Sequence, residues 1–217
     1  MEAPERTHPP ARVRVIGRAL NDALVRAPWL WPLLKRPVQA FFERSAPGWD
    51  ERTGAGSPAH LAPLAAAALQ VSGPPERILD AGTGTGEGAL MLAREFPQAR
   101  VRGIDISEEM VRSAQAKIGL DPEGRVAFRV ADAAALPYEA ESFDLVTLLN
   151  MPPFFAELAR VLRPGGYVIV AASWGADTPF YTPTPVLERG FRRRAVEPVH
   201  AATVQQGTYF VGRRRLS

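Results

Sequence analysis

The sequence predicts an α/β fold: a mostly parallel sheet with helices on both faces and one antiparallel strand, preceded by a helical segment. Three observations predict it. From Arg77 onward, short apolar runs alternate with helical patterns, and strands alternating with helices imply βαβ units and a parallel sheet. The first apolar run ends in a glycine-rich turn, I-L-D-A-G-T-G-T-G-E-G-A-L over 78–90, where a strand stops and a helix restarts. In the tail, V-E-P-V-H-A-A-T-V and Y-F-V-G-R are two extended runs joined by Q-Q-G-T, a hairpin signal that closes the sheet with an antiparallel pair.

The elements follow in order. Residues 1–11 are polar and proline-rich and are expected to be disordered. From Arg12 to Arg26, Val13, Ile16, Leu20 and Leu24 recur every three or four residues, one face of a helix. Pro28 and Pro32 are expected to break it, and Pro37 to open a second short helical piece through Phe41 and Phe42. S-A-P-G-W-D-E-R-T-G-A-G-S-P then reads as a linker. An alanine- and leucine-rich helix runs from Pro58 to about Val71, and Pro74-Pro75 stops it. Residues 12–72 thus form a helical N-terminal segment and residues 73–217 the core. In the core, strands are expected over 77–81, 100–105, 126–130, 143–149 and 167–172. Helices are expected over 87–96, 108–118, 154–162 and 182–194.

The chain of 217 residues is long enough for one α/β domain with an added segment. It contains no cysteine, which excludes disulfides, thiolate metal sites and thiol nucleophiles and fits a cytoplasmic location. No metal site is expected. The N-terminus lacks a basic-then-apolar signal pattern. The apolar run from Ala27 to Leu34 is far short of the roughly 20 residues that span a bilayer. The net charge of +3 comes almost wholly from arginine, with clusters at 192–194 and 213–215. Such a balance suits nucleic acid or a membrane surface as well as a solvated face. The clusters lack interleaved aromatic residues, so nucleic acid is not expected as a partner.

A glycine-rich turn between strand and helix brings the backbone close to a ligand. Gly84 to Ala89 even satisfies the dinucleotide pattern G-x-G-x-x-A. Asp80 argues against a pyrophosphate, which its charge would repel, and for S-adenosylmethionine (SAM), whose methionine end carries a sulfonium and an ammonium. Asp105, closing the second strand, suits both ribose hydroxyls of an adenosine ligand. Asp132 can accept from an adenine amino group while the N–H of Ala133 meets a ring nitrogen.

These passages in this order resemble the class I SAM-dependent methyltransferases, and within them the type-11 methyltransferase domain family. The match is carried by I-L-D-A-G-T-G-T-G, V-R-G-I-D-I-S-E-E-M, V-A-D-A-A-A-L-P-Y-E-A-E-S-F-D-L-V and E-L-A-R-V-L-R-P-G-G-Y-V-I-V, between Arg77 and Ala172. The resemblance implies a Rossmann-like, seven-stranded sheet with one antiparallel strand, and SAM as cofactor. It implies that Asp80, Gly82, Thr83 and Gly84 border the methionine end. Asp105 would hold the ribose with Ile106 against the base, Asp132 and Ala133 would read the adenine edge, and Asn150 would lie beside the methyl group. Two features depart from the family. Only Met151, Pro152 and Pro153 separate Asn150 from the next helix, a shorter connection than is common there. Asn150 to Phe154 is similar to the Asn-Pro-Pro-aromatic motif of amino-group methyltransferases, but Met151 interrupts it.

The function so implied is in-line methyl transfer to a small, largely apolar molecule. A SAM-binding scaffold without catalysis and a dinucleotide-dependent oxidoreductase are the alternatives. His60 and His200 are candidate general bases by residue type, each also readable as an ordinary surface or core histidine. Trp29, Trp31, Phe41, Phe42 and Trp49 make the N-terminal segment a candidate substrate cover, or alternatively padding for the core or a homodimer contact. Trp49, Asp50 and Met151 are the substrate-side candidates.

Overall fold

A computed structural model describes residues 9–121 and 123–216. The expected disorder of residues 1–11 falls mostly on 1–8, outside the described residues; Ala11 already begins the first helix. The helices are α1 (Ala11–Arg26), α2 (Trp31–Ser45), α3 (Trp49–Thr53), α4 (Pro58–Ala68), α5 (Glu87–Glu95), α6 (Glu108–Ala116), α7 (Phe155–Val161) and α8 (Thr184–Arg192). The strands are β1 (Arg77–Ala81), β2 (Arg100–Asp105), β3 (Val126–Val130), β4 (Phe143–Leu149), β5 (Leu162–Ala172), β6 (Val196–Val204) and β7 (Gly207–Arg214).

The strands form one sheet in the order β3-β2-β1-β4-β5-β7-β6, all running one way except β7, which is antiparallel to both β5 and β6. Adjacent residues along a strand face opposite sides, and here both sides are buried. Ile78, Leu145, Ile169 and Val211 pack under α4, α5 and α6, while Leu79, Val146, Val168 and Phe210 pack under α7 and α8. That is why the strands read as continuous apolar runs rather than alternating ones. Phe191 of α8 is fully buried, with ring centroids 4.9 Å from Phe155 and 5.7 Å from Phe210.

Three expectations are corrected. Pro37 does not open the second helical piece, which begins six residues earlier at Trp31. Pro32 occupies its first turn, where no N–H is needed, and Pro37 lies inside α2 on an exposed face, with Leu33 one turn before it also exposed. The linker holds a short helix, α3, between Gly48 and Gly54, both left-handed. The fifth strand begins at Leu162, five residues before the expected Tyr167, because Leu162 pairs with Phe143 ahead of an irregular Pro164–Gly166 stretch.

The order of strands places β1 between β2 and β4, so the chain reverses direction across the sheet there. In open α/β sheets ligands sit at that switch point, beyond the carboxyl ends of the strands. Asp80, Asp105, Asp132 and Asn150 all lie at or just after those ends.

A capped acidic notch at the carboxyl end of the sheet

The turn after β1 is held from below. Asp80 is 2% exposed, and its carboxylate accepts from Thr83 Oγ1 at 2.7 Å and from Thr147 Oγ1 of β4 at 2.8 Å. Burial pushes its pKa up to about 6 against those hydroxyl bonds, and the charge of Asp105 adds to the rise. Asp80 therefore acts on the notch through charge and through the turn it anchors. Gly82 has φ 68° and Gly84 φ 54°, conformations that side chains rarely adopt. Around Gly84 the space that a Cβ would take is open, leaving a notch in the surface.

The opposite wall is Asp105. Its Oδ2 accepts from the N–H of Gly84 at 2.9 Å and its Oδ1 from the N–H of Ser107 at 3.0 Å. Burial raises its pKa despite hydrogen bonds from Ser107, Gly84 and Ile106, and the charge of Glu43 raises it further. Glu43, from α2, accepts from the N–H groups of Glu108 at 2.8 Å and Glu109 at 3.1 Å, so it caps the start of α6 beside Ser107. Ile106 follows Asp105, partly buried. The chain's two lysines are already paired with carboxylates other than Asp80 and Asp105. Lys35 pairs with Asp132 at 2.9 Å, and Lys117 pairs with Asp50 and, at 2.8 Å, with Glu87. The notch is thus acidic. It suits a sulfonium and an ammonium and disfavours a pyrophosphate, which takes N–H groups without carboxylates beside them. On charge and on backbone shape, the residues present fit SAM.

Two contacts cap the notch; the sequence points to Met151 and Trp31 as candidates but not to the groups they meet. Met151 lies across Gly82: a Cβ there would collide with its Sδ. Asp132, whose Oδ1 also accepts from the N–H of Ala134 at 2.9 Å, receives the indole N–H of Trp31 at 2.9 Å and the ammonium of Lys35. Ala133 beside it is buried. Trp31 is 9% exposed and packs edge-on against Phe154 at 5.2 Å. The void at the end of β5, lined by Ala171, Phe180 and Tyr181, is about 10 Å³, room for little more than water. The roomier cavity, about 400 Å³, lies at the other end of the strands, between Pro74, Asp144, Arg163 and Arg213.

The remaining candidates divide. Asn150 has φ 59°, unusual for a residue with a side chain, and its amide is fully engaged. Its Nδ2 donates to Ser173 Oγ at 2.9 Å and to His60 Nε2 at 3.2 Å, while its Oδ1 accepts from the N–H of Ser173 at 2.8 Å. Accepting at Nε2 leaves the His60 proton on Nδ1. Burial pulls the His60 pKa down to about 4, against the backbone of Thr53 and the charge of Asp50. His60 is a neutral group at the notch rim. His200 is not at the site. It lies exposed on the edge strand β6, stacked on Tyr209 and bonded to its hydroxyl at 3.0 Å. Three strand spacings, about 14 Å, separate β6 from β4, so His200 is withdrawn as a candidate base.

Asp50 reaches the turn, accepting from Thr85 Oγ1 at 2.5 Å, and Trp49 packs with Phe42 at 5.8 Å. Of the expected aromatic cover, Trp31 packs against Phe154 and Phe42 against Trp49, but Trp29 is 73% and Phe41 41% exposed, turned away. The arginine clusters are largely occupied. Arg194 bonds the carbonyl of Gly190, Arg213 that of Gly165, Arg214 pairs with Glu141 at 2.7 Å, and Arg192 and Arg215 face Glu197.

Residues 78–166 match the family described as a methyltransferase domain. The ubiquinone/menaquinone biosynthesis C-methyltransferase UbiE of Syntrophotalea carbinolica is 41% identical over 101 residues, 43% of this chain and 42% of that protein. The O-methyltransferase cnsE of Penicillium expansum is 40% identical over 104 residues, 44% of this chain and 37% of that one. The chain thus spans well under two thirds of the length of these relatives. Among solved structures, a chain in the complex of the Haloferax volcanii Trm112 methyltransferase activator with its methyltransferase superposes with a TM-score of 0.67 at 20% identity, covering 80% of this chain and 97% of that one. At that identity the likeness is one of fold.

Proposed function

Residues 78–166 being a methyltransferase domain of the class I, SAM-dependent kind, we propose that this chain binds SAM in the acidic notch and passes its methyl group to a small, largely apolar acceptor. The observation that carries the reading is the pairing of a glycine turn with two carboxylates: Asp80, raised in pKa by burial and by the charge of Asp105, and Asp105, raised by burial and by the charge of Glu43. Dinucleotide chemistry is disfavoured for the same reason. SAM bound there supplies a methyl carbon already activated by its sulfonium. The protein's contribution is alignment and exclusion of water, which can be worth about 7–11 kcal/mol.

The roles proposed for the residues follow from their positions. Asp80, Gly82, Thr83 and Gly84 border the methionine end; Asp105 takes the ribose hydroxyls beside Ile106. Asp132 and the N–H of Ala133 read the adenine edge, once Trp31 and Lys35 have released Asp132. Asn150, held by His60 and Ser173, lies at the methyl end, and His60 positions it rather than taking a proton. Residues 12–72 form the cover, with Trp49, Asp50 and Met151 on the acceptor side. The aromatic groups Trp31, Phe42 and Trp49 in that cover, with Phe154 of the core against Trp31, support an apolar acceptor. The occupied arginines argue against a nucleic-acid one. The lack of cysteine fits work in the cytoplasm.

The capping of the notch by Met151, Trp31 and Lys35 favours one second reading, a SAM-binding scaffold without turnover. The two are separated by supplying methyl-labelled SAM with a panel of small phenols, amines and quinol-like acceptors. Labelled product with release of S-adenosylhomocysteine supports the enzyme. Micromolar SAM binding with no turnover across the panel supports the scaffold.

A further inference from the structure

The N-terminal helices have two faces with different partners. The inner face is spent on the domain: Trp31 and Lys35 meet Asp132, and Glu43 caps α6. Among the described residues, the outer face is unpartnered. Along α2 and the turn before it, Trp29, Leu33, Arg36, Pro37, Phe41 and Arg44 recur at helical spacing, and all are exposed. Trp29 is 73% and Leu33 76% exposed, and on α1 Val15 and Ile16 are bared to a similar degree.

Charge is segregated onto the same segment. Residues 11–45 contain seven basic and two acidic residues, a net +5, so the remainder of the chain, within a total of +3, is net negative. Of the two acids, Glu43 is turned inward, leaving only Asp22. Among the described residues, Arg26, Arg36 and Arg44 are exposed and pair with no carboxylate. This differs from the tail clusters, whose arginines are largely occupied by glutamates and carbonyls.

We infer that the outer face of α1 and α2 is a docking surface for an anionic lipid bilayer. A bilayer interface offers both chemistries at the right depth: headgroup phosphates for arginines, and acyl chains for tryptophan, leucine and phenylalanine lying between them. No helix of the described residues is long and apolar enough to cross a membrane, so the binding is peripheral, with α2 lying along the surface for roughly 22 Å. A second copy of the chain is the poorer fit, since a two-fold contact would set like-charged arginines against one another. The inner face of α2 touches the notch rim, so docking sets that rim one helix diameter, about 10 Å, from the lipid. The inference does not rest on methyl transfer and is read without it.

The test is co-sedimentation of the full chain with vesicles of equal parts phosphatidylcholine and phosphatidylglycerol, and with phosphatidylcholine alone. Binding to the anionic vesicles only, weakened by salt, is expected, with a blue shift of tryptophan emission that Trp29→Phe removes. Replacing Arg26, Arg36 and Arg44 together by glutamine is expected to weaken partitioning about 100-fold. Trp29→Ser, Leu33→Ser and Phe41→Ser combined should abolish it at an unchanged melting temperature. Because all six side chains are exposed, the two variants serve as independent checks should either fail to fold. Absence of vesicle binding, binding that survives both variants, or a solution dimer that the serine variant dissociates would each overturn the inference.

Discussion

The indole N–H of Trp31 lies 2.9 Å from the carboxylate of Asp132, across 101 residues of chain. Trp31 begins helix α2 of the N-terminal segment and Asp132 follows the third strand, where an adenine edge would be read. On the proposed roles, the N-terminal segment and the cofactor compete for one carboxylate.

That competition sets the first prediction. In Trp31→Phe the ring still packs against Phe154, but one donor to Asp132 is lost. With Lys35→Met added, the capped state loses its charged hydrogen bonds, each worth about 1.5–3 kcal/mol. The apparent SAM affinity rises because less of the protein is held in the capped form. A tenfold or greater tightening by calorimetry is expected for the double variant. Weaker binding would mean that Trp31 and Lys35 are themselves part of the adenine site.

Asp105 has a different signature. Its two oxygens hold the N–H groups of Gly84 and Ser107, so it shapes the notch as well as lining it. Asp105→Ala should weaken SAM by about 1.5–3 kcal/mol, the value of a hydrogen bond to a charged group. Asp105→Asn should bind SAM intermediately while keeping the turn, read as protection of the Gly84 amide from hydrogen exchange. Equal SAM affinity in all three proteins would remove Asp105 from the site.

Asp80 and His60 give opposite pH slopes. The folded pKa of Asp80 is raised from 3.8 to about 6, so the folded state holds its proton more tightly, and stability falls as pH rises through that window. The folded pKa of His60 is lowered from 6.5 to about 4, so the unfolded state holds the proton more tightly, and stability falls as pH drops through that window. Each effect is about 3 kcal/mol in scale, and between about pH 4 and 6 they offset one another. Asp80→Asn should therefore expose a steeper loss of melting temperature on acidification. His60→Gln should show the reverse, gaining stability from pH 6 to 4. Parallel melting curves in wild type and both variants would contradict the burial argument.

Much of this fold was legible in the sequence, for a physical reason. Strands β1 and β4 are apolar on both faces, and β2 and β3 are short runs with buried apolar residues such as Val101, Ile104, Val126 and Phe128, so 77–81, 100–105, 126–130 and 143–149 stand out. Leu162 to Gly166 did not, because Arg-Pro-Gly-Gly reads as a turn, although Leu162 alone pairs with β4. Pro37 suggested a helix start because sequence does not reveal which helix face is exposed. At the site, the acidic residues were visible from their places after apolar runs. Their partners were not: Trp31 to Asp132, Glu43 to α6 and His60 to Asn150 are contacts between distant segments that no local period encodes. His200 attracted notice by residue type alone and fell on an edge strand.

The central claim is that the notch takes SAM and not a dinucleotide. Calorimetric titration of the full chain with S-adenosylhomocysteine, SAM and NADH at neutral pH tests it most directly. Saturable micromolar binding of the first two, lost or weakened in Asp105→Ala, with no heat from NADH, is the predicted result. Tight NADH binding with no response to either adenosyl ligand would contradict it.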